Sequence, residues 1–383
     1  MRTARTPLAA VAALAGTMLA FATIPAFGDA AAASRRSPSA PALHCGDVVT
    51  ANVHLTADLV DCAGAGLVVG ADDIVIDLGG HTISGSHSGD AGIDDFAGHD
   101  GITVTHGAVH DFATGLAFFG TRGNRVAGVT VTTVDFAGVL LVDATDNRIE
   151  DNRLADVGNG VFLFRSSRTR IRRNEITDTT GAGIEVDGAS ADNEITRNRI
   201  ERTFDVGIVV AVFDDDPNAP AEFPTGNKVA ENQLSANSFG ILLVEANGGE
   251  ITRNTVTDAG SFGDPGAPGG GIALDGGDDN LLARNLVVGS RGNGIEVGAD
   301  PQDDPHPLPP TGNRLLANTA SGGGGDGIHV AANARQTFLK SNVAERNAGF
   351  GILAISPVLD GGANVASGNG APTQCSGIPC TAG

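Results

Sequence analysis

Apolar and polar residues alternate along this chain in short runs that return at a nearly constant interval. A glycine followed by an aliphatic residue recurs every 22 to 24 residues over most of the chain, and three intervals are about ten residues longer. After the glycine, apolar residues are spaced by two, which is the period of a strand. A fixed interval of this size indicates a solenoid. The repeating glycines are Gly66, Gly92, Gly115, Gly138, Gly160, Gly183, Gly207, Gly240, Gly271, Gly294, Gly327 and Gly351.

A second motif, typified by "DNRIEDNRL", lies between successive glycine strands and is centred on an asparagine. The residue three before this asparagine and the residue two after it are apolar in every repeat, so both columns are predicted to point inward. The asparagines are Asn152, Asn174, Asn198, Asn232, Asn254, Asn285, Asn318 and Asn342. We interpret this column as scaffold, because asparagine tolerates the left-handed turn conformation and stacked amides can form a hydrogen-bonded ladder.

Short strands that stack on their copies in the next repeat predict an all-β, single-stranded, right-handed parallel β-helix. At about 4.8 Å per turn, about 12 rungs would make a rod of about 55 Å. Each rung buries its apolar face only against its neighbours, so the ends need covers. The candidate covers are "CGDVVTANVHLTADLVDC" and "CSGIPC", closed by disulfides Cys45–Cys62 and Cys375–Cys380, as expected in an exported protein.

The first residues read as a secretory signal, with a charged start, an apolar stretch and small residues for cleavage. We therefore predict a signal peptide at 1–33, a linker at 34–44 and the β-helix at 45–383, in a secreted monomer. A retained anchor helix is the alternative. The net charge of −21 argues against nucleic acid and anionic membrane partners.

Function in such a fold must come from outward side chains or from loops between strands. The outward positions of the glycine strands form an unusually apolar stripe with scattered acids and one histidine, which predicts a covered or a binding surface. Three insertions, 213–225, 261–270 and 300–311, adjoin this stripe and are more simply interpreted as covers than as catalytic loops. Loop 300–311 carries "DPQDDPHPLPPT".

The alternative interpretation is a catalytic groove. Glu296 and His329 are expected in one column on adjacent rungs, with Asp275 one rung back and His306 on the neighbouring loop. A carboxylate beside a histidine suits general acid–base catalysis, and paired carboxylates suit glycoside hydrolysis. The predicted substrate-binding residues are Glu185, Asp187, Asp304 and Arg165.

Two other clusters of side chains, one of arginines and one of histidines, are candidate binding sites. The arginines crowded at 165–173 and 197–202 either bind acidic sugars or, as we favour, pair with carboxylates on adjacent rungs. The histidines of "HGAVH" lie four residues apart, about 13 Å along a strand, so they cannot share one metal. We expect no metal site and no cofactor, with Ca²⁺ among the Asp-rich loops as the one open option.

The repeats resemble right-handed parallel β-helix proteins of the pectin-lyase-like superfamily over roughly residues 45 to 380. "IDLGGHTISG" at 76–85 resembles the opening rung of the NosD-like group. "DPHP" resembles part of the Asp-Pro-His-Asp motif of mannuronan C5-epimerases, placed on Asp304, Pro305 and His306. Pro307 stands at the fourth position, and the chain has no tyrosine, on which those enzymes are thought to depend.

The resemblance implies binding, cleavage or modification of extracellular or cell-wall polysaccharide. A non-catalytic structural or surface-interaction scaffold is the alternative. Metal delivery of the NosD kind is disfavoured because both methionines, Met1 and Met18, leave with the signal and the histidines are scattered.

Overall fold

The computed structural model describes residues 42–87, 90–212, 223–263, 269–298 and 308–383. The predicted signal peptide and nearly all of the linker lie outside these residues. Within them the chain forms an all-β, right-handed parallel solenoid of about 13 turns, with no helix. No described segment therefore forms an apolar helix that could cross a membrane.

Each turn contributes one strand to each of three parallel sheets. Three strands, Thr103–His110, Arg125–Val142 and Arg153–Phe164, continue around corners and belong to two or three sheets, so the sheets join into one hydrogen-bonded network. Sheet 1 contains the glycine strands; sheets 2 and 3 flank the asparagine.

The strands of each sheet are given below. The three long strands appear in every sheet to which they contribute. Sheet 1 comprises Asp47–Val49, Leu67–Val69, Ala91–Asp95, Thr114–Phe119, the ends of Arg125–Val142 and Arg153–Phe164, Ile184–Asp187, Val206–Ala211, Phe239–Val244, Ile272–Asp275, Ile295–Gly298, Ile328–Val330, Ile352–Ala354 and Cys375–Ser376. Sheet 2 comprises Val53–His54, Val75–Asp77, the starts of Thr103–His110 and Arg125–Val142, Arg148–Glu150, Arg170–Arg172, Glu194–Thr196, Lys228–Ala230, Glu250–Thr252, Leu281–Ala283, Arg314–Leu316, Phe338–Lys340 and Leu359–Asp360. Sheet 3 comprises Leu59–Cys62, Thr82–Gly85, the end of Thr103–His110, the middle of Arg125–Val142, the start of Arg153–Phe164, Glu175–Thr177, Arg199–Glu201, Gln233–Ser235, Thr255–Thr257, Leu286–Val288, Thr319–Ser321, Val343–Glu345 and Val365–Ser367.

The inward columns predicted from the repeat are confirmed. Ile195 of sheet 2, Ile200 of sheet 3 and Ile184 of sheet 1 are all fully buried, as are their counterparts in neighbouring turns. The glycine column has a steric origin. A Cβ at Gly183 would lie 2.5 Å from Ile200 Cγ2 and 2.6 Å from the Gly207 carbonyl oxygen, closer than real contacts allow. Adjacent turns can therefore approach at this corner only where a side chain is absent.

The asparagine column forms the predicted ladder, but the prediction that these asparagines adopt the left-handed turn conformation was wrong. Asn198 Oδ1 accepts hydrogen bonds from Asn174 N–H and Nδ2, both at 3.0 Å, and Asn198 Nδ2 donates to the Ile171 carbonyl at 3.0 Å. The left-handed residue is the one before each asparagine, for example Arg173 and Arg197 with φ of 54° and 57°. The left-handed residue makes the turn, and the asparagine points inward to satisfy buried backbone groups.

Both predicted disulfides, Cys45–Cys62 and Cys375–Cys380, are present near the ends of the solenoid. The amino-terminal cover segment itself forms the first turn, because Asp47–Val49 pairs directly with Leu67–Val69. At the other end, Ile378 lies between the second pair of cysteines and packs into the main core.

Candidate functional site

The outer face of sheet 1 holds most of the predicted site residues. Glu296 pairs with His329 one turn on, and Asp275 pairs with Gly298, so the predicted register is confirmed. Parallel strands lie about 4.8 Å apart, which puts Glu296 and His329 within reach of one substrate group. His306 and Asp304 lie outside the described residues. Catalytic roles for all four predicted residues stay predictions.

Two residues that the sequence reasoning missed organise this pair. His329 Nδ1 lies 2.8 Å from Asp326 Oδ2, and Asn293 Nδ2 donates to Glu296 Oε2 at 3.0 Å. Asn293 Oδ1 also accepts the Asp326 backbone N–H at 2.8 Å, which joins the two halves. The His329 side chain is 19% exposed and that of Asp326 13%. A carboxylate on one ring nitrogen orients the imidazole and leaves the other nitrogen for proton transfer.

A sequence signal for these two residues existed. Asn293 and Asp326 each come directly before a repeat glycine, a column that holds Ala182, Val206 and Phe239 in other turns. A polar residue in that column therefore lies beside the outward position three residues later.

Glu185 and Asp187 form a second acidic cluster on the same face. Glu185 is paired in register with Phe162 and Val209, both buried. Burial, then the charges of Asp187 and Asp205, raises the pKa of Glu185 to about 8. Burial also raises the pKa of Asp205. Glu185 is therefore predominantly protonated at neutral pH.

The two clusters are separate. Four steps between adjacent turns separate Glu185 from Glu296 in the pairing register, about 19 Å at the usual spacing. They could contact different sugars of one chain but cannot share one reacting bond. The intervening outward residues are Val209, Leu242 and Ala273.

The apolar stripe is covered in part. Leu140, Phe162 and Val209 point outward and yet are 4%, 7% and 3% exposed. Phe119, Phe136 and Phe164 pack against the part of the stripe that includes Leu140 and Phe162. The Phe136 and Phe162 rings are 5.7 Å apart and edge-on. The prediction that the three insertions cover the stripe falls largely on residues 213–222, 264–268 and 299–307, outside those described.

The predicted pairing of the clustered arginines with carboxylates on adjacent turns is observed. Arg173 donates to both oxygens of Asp151 at 2.6 Å, and Arg172 Nε donates to Glu150 at 2.7 Å. Arg165, predicted to bind substrate, forms a two-pronged pair with Asp143 at 2.6 and 2.7 Å. Its guanidinium also lies 4.5 Å from the centre of the Phe164 ring.

An open groove lies on sheet 2, outside the predicted site. Its volume is about 450 Å³. It is lined by Arg148, Arg170, Arg172, Glu194, Thr196, Arg197, Lys228, Ala230, Glu231 and Arg253. A smaller cavity of about 190 Å³ lies on sheet 3, around Arg199 and Gln233. Neither cavity is lined by Glu296 or His329.

The amino-terminal histidines lie beside aspartates, and two of these aspartates each contact two histidines, namely Asp77 with His54 and His106, and Asp111 with His87 and His110. His81 Nδ1 lies 3.0 Å from Asp58, and His99 Nδ1 lies 2.8 Å from buried Asp95. In the part of the chain that the structure describes, no group of three or more His, Cys, Asp or Glu side chains is arranged to hold a metal ion. A Ca²⁺ site stays an untested prediction.

Comparison with known proteins defines the class. The chain matches the family described as "Right handed beta helix region" over residues 56–200 and 193–357, most of the solenoid, and it belongs to that family. No curated protein matches it in sequence.

Solved structures share the fold at low sequence identity. The periplasmic alginate epimerase AlgG is 16% identical with a TM-score of 0.54, covering 82% of this chain and 74% of its own. The catalytic unit of the GH87 α-1,3-glucanase from Streptomyces thermodiastaticus is 15% identical with a TM-score of 0.56, covering 84% and 62%. A mutant tailspike protein of E. coli bacteriophage HK620, in complex with a pentasaccharide, is 12% identical with a TM-score of 0.52, covering 84% and 64%. These likenesses establish the fold.

Proposed function

We propose that this protein is exported, binds a polysaccharide across the outer face of sheet 1, and cleaves it by acid–base chemistry at Glu296 and His329. The observation that carries the proposal is the hydrogen-bonded unit of Asp326 with His329 and Asn293 with Glu296. The alginate epimerase, glucanase and tailspike neighbours support a carbohydrate ligand. The disulfides support an oxidising, extracellular location.

Each group has a distinct part. Asp326 holds His329 in one orientation and stabilises the charged imidazolium that forms when the ring takes a proton. Asn293 fixes one oxygen of Glu296 and leaves the other for a proton of the substrate. Two proton-transfer groups on adjacent turns can serve the attacking and the leaving side of one bond.

The apolar, partly covered surroundings strengthen this chemistry, because charges interact more strongly away from water. The Glu185 cluster lies about four turns away along the axis and contributes protonated Glu185 and its neighbouring carboxyl groups as hydrogen-bonding partners for a more distant sugar of the same chain. The outer face of sheet 1 would thus bind an extended ligand along the axis of the solenoid.

The test is incubation of the mature protein with neutral glucans, pectate, alginate and peptidoglycan, with and without Ca²⁺. New reducing ends and the absorbance of unsaturated products separate hydrolysis from elimination. We expect product with the wild type and at least a hundredfold slower reaction with His329→Ala or Glu296→Gln. Asp326→Asn should lower kcat more than it changes KM, because it acts through the imidazole.

The matched control is Glu175→Gln, an exposed carboxylate on sheet 3. Retention of polymer without product from any substrate would contradict cleavage and leave a binding module. Neither retention nor product across the panel would favour the alternative function, a structural scaffold.

A further inference from the structure

We propose that the groove on sheet 2 is a second binding site, specific for a linear acidic polysaccharide, on a different sheet from the residues assigned above. Its lining contains six cationic side chains and two carboxylates, a surplus of four positive charges. The chain as a whole carries a net charge of −21. This concentration of positive charge in one groove of an acidic protein favours the binding of an anionic ligand.

The groove follows from residue size and register. Thr196 and Ala230 are paired neighbours and form a low floor. One wall is the column at the start of the strands, where Arg148, Arg170, Glu194 and Lys228 stack turn upon turn. The opposite wall is the column of left-handed turn residues Arg197, Glu231 and Arg253, with φ near 57°. Long side chains thus stand on both sides of a floor of small ones.

The internal carboxylates do not neutralise these cations, because each is shared by two of them. Glu194 lies 3.5 Å from Arg170 and 3.8 Å from Lys228. Glu231 lies 2.7 Å from Arg197 and 4.0 Å from Arg253.

A third carboxylate outside the lining behaves alike, since Glu150 accepts hydrogen bonds from both Arg125 and Arg172 at 2.7 Å. Within the described residues, the Arg148 side chain forms no ion pair or hydrogen bond.

The cationic side chains remain available to a ligand. Those of Arg170, Arg197 and Arg253 are 56%, 66% and 56% exposed. The pairs with Glu194 and Glu231 hold them upright, which lowers the entropy lost on binding. Guanidinium groups also recognise planar carboxylates and sulfates through two parallel hydrogen bonds.

Shape and composition favour a sugar polymer among anionic ligands. The wall from Arg148 to Lys228 spans three steps between turns, about 14 Å, which exceeds the reach of a single small anion. No aromatic side chain lines the groove, so it offers no platform on which nucleic-acid bases would stack. The negative charge of the rest of the protein also repels a densely charged nucleic acid more than a sugar chain with about one charge per residue.

The test measures binding of polygalacturonate and of heparin by calorimetry at two salt concentrations. The two polymers separate carboxylate from sulfate recognition, dextran serves as the neutral polymer, and a duplex DNA oligonucleotide as the competing polyanion. We expect at least one acidic polysaccharide to bind, more weakly as salt rises. Neither dextran nor DNA should bind comparably.

Two variants should act in opposite directions. Arg148→Gln combined with Arg170→Gln should weaken binding about tenfold. Glu194→Gln should tighten it about threefold, because it releases Arg170 and Lys228 from their shared partner. Arg346→Gln, an exposed arginine paired with Glu345 beside sheet 3, is the matched control and should change nothing.

The inference is overturned if neither acidic polymer binds, if DNA binds as tightly, or if the double arginine variant binds like the wild type. Thermal unfolding of each variant checks that an altered affinity does not reflect an altered fold.

Discussion

The buried asparagine ladder should contribute strongly to stability, and Asn198→Ala tests this directly. The substitution deletes an amide that receives two hydrogen bonds from Asn174, donates to the Ile171 carbonyl and donates to Asn232 Oδ1. Asn198 is 1% exposed, so water cannot replace these contacts. Asn174 Nδ2 and Asn232 Oδ1 keep other partners, namely the Ile149 carbonyl and the Asn198 backbone N–H.

One group therefore loses the partner that the ladder gave it, the Asn174 N–H, whereas the Ile171 carbonyl stays in the sheet 2 ladder, where Ile171 pairs with Ile195. An unsatisfied buried polar group costs about 1–3 kcal/mol, so the variant should lose about 1–3 kcal/mol of unfolding free energy. A typical domain has about 5–15 kcal/mol in total. The loss should be visible as a lower guanidinium midpoint followed by far-ultraviolet circular dichroism.

Gln233→Ala is the control. The substitution removes a similar amide, but Gln233 is exposed, on the neighbouring turn of sheet 3. A surface change of this kind should shift stability by no more than about 0.5 kcal/mol. If Asn198→Ala cost no more than Gln233→Ala, the ladder would be a by-product of the fold and not a source of its stability.

Three further predictions follow from the structure. Gly183→Ala should lower the stability of the fold by about 1–3 kcal/mol, because the new methyl group would collide with Ile200 and the Gly207 carbonyl. A methyl group at Gly64 has no neighbour within 4 Å, so Gly64→Ala should be nearly neutral. Thermal unfolding of both variants tests the difference. Burial and neighbouring charge raise the Glu185 pKa to about 8, so the unfolded state releases this proton at lower pH than the folded state does. The wild type should therefore lose stability relative to Glu185→Gln as pH rises from about 4.5 to 8. Equal pH profiles of the melting temperature for the two proteins would contradict this. Burial raises the pKa of Glu150, but hydrogen bonds from Arg125 and Arg172 leave this pKa lowered overall. Glu150→Gln should therefore lower the free energy of unfolding by about 1–3 kcal/mol at pH 7, and by progressively less as pH falls through the folded-state pKa. Chemical unfolding at several pH values measures this difference.

The sequence predicted the parts of the fold that the repeat imposes. Stacked turns place equivalent residues one above another, so an apolar column such as Ile171 with Ile195 had to be a buried column, and Glu296 had to lie beside His329. The turn chemistry was less visible. The left-handed position holds aspartates such as Asp151, which favour that conformation, but also arginines such as Arg173, which do not. An arginine can occupy the position because the buried asparagine that follows stabilises the turn.

Packing outside the core could not be predicted from the repeat. The stripe was expected to be covered by the three insertions, yet Phe119, Phe136 and Phe164, which lie outside those insertions, pack against the part that includes Leu140, and Val209 is buried in a second outer cluster. Those contacts depend on side-chain directions at corners, where the period of two no longer holds. The Asn293 and Asp326 contacts were missed for a related reason, since both residues precede the strand and turn onto its outer face.

The same architecture explains why polar sites on this protein run parallel to its axis. A residue type repeated at one position becomes a column with one side chain about every 4.8 Å, so charge and size accumulate in stripes. On sheet 2 such stripes make a floor of Thr196 and Ala230 between cationic walls. On sheet 1 they place Glu185 and Glu296 on one line, four turns apart. Extended polymers match that geometry better than compact ligands do, because a polymer presents its own groups at regular intervals along one direction.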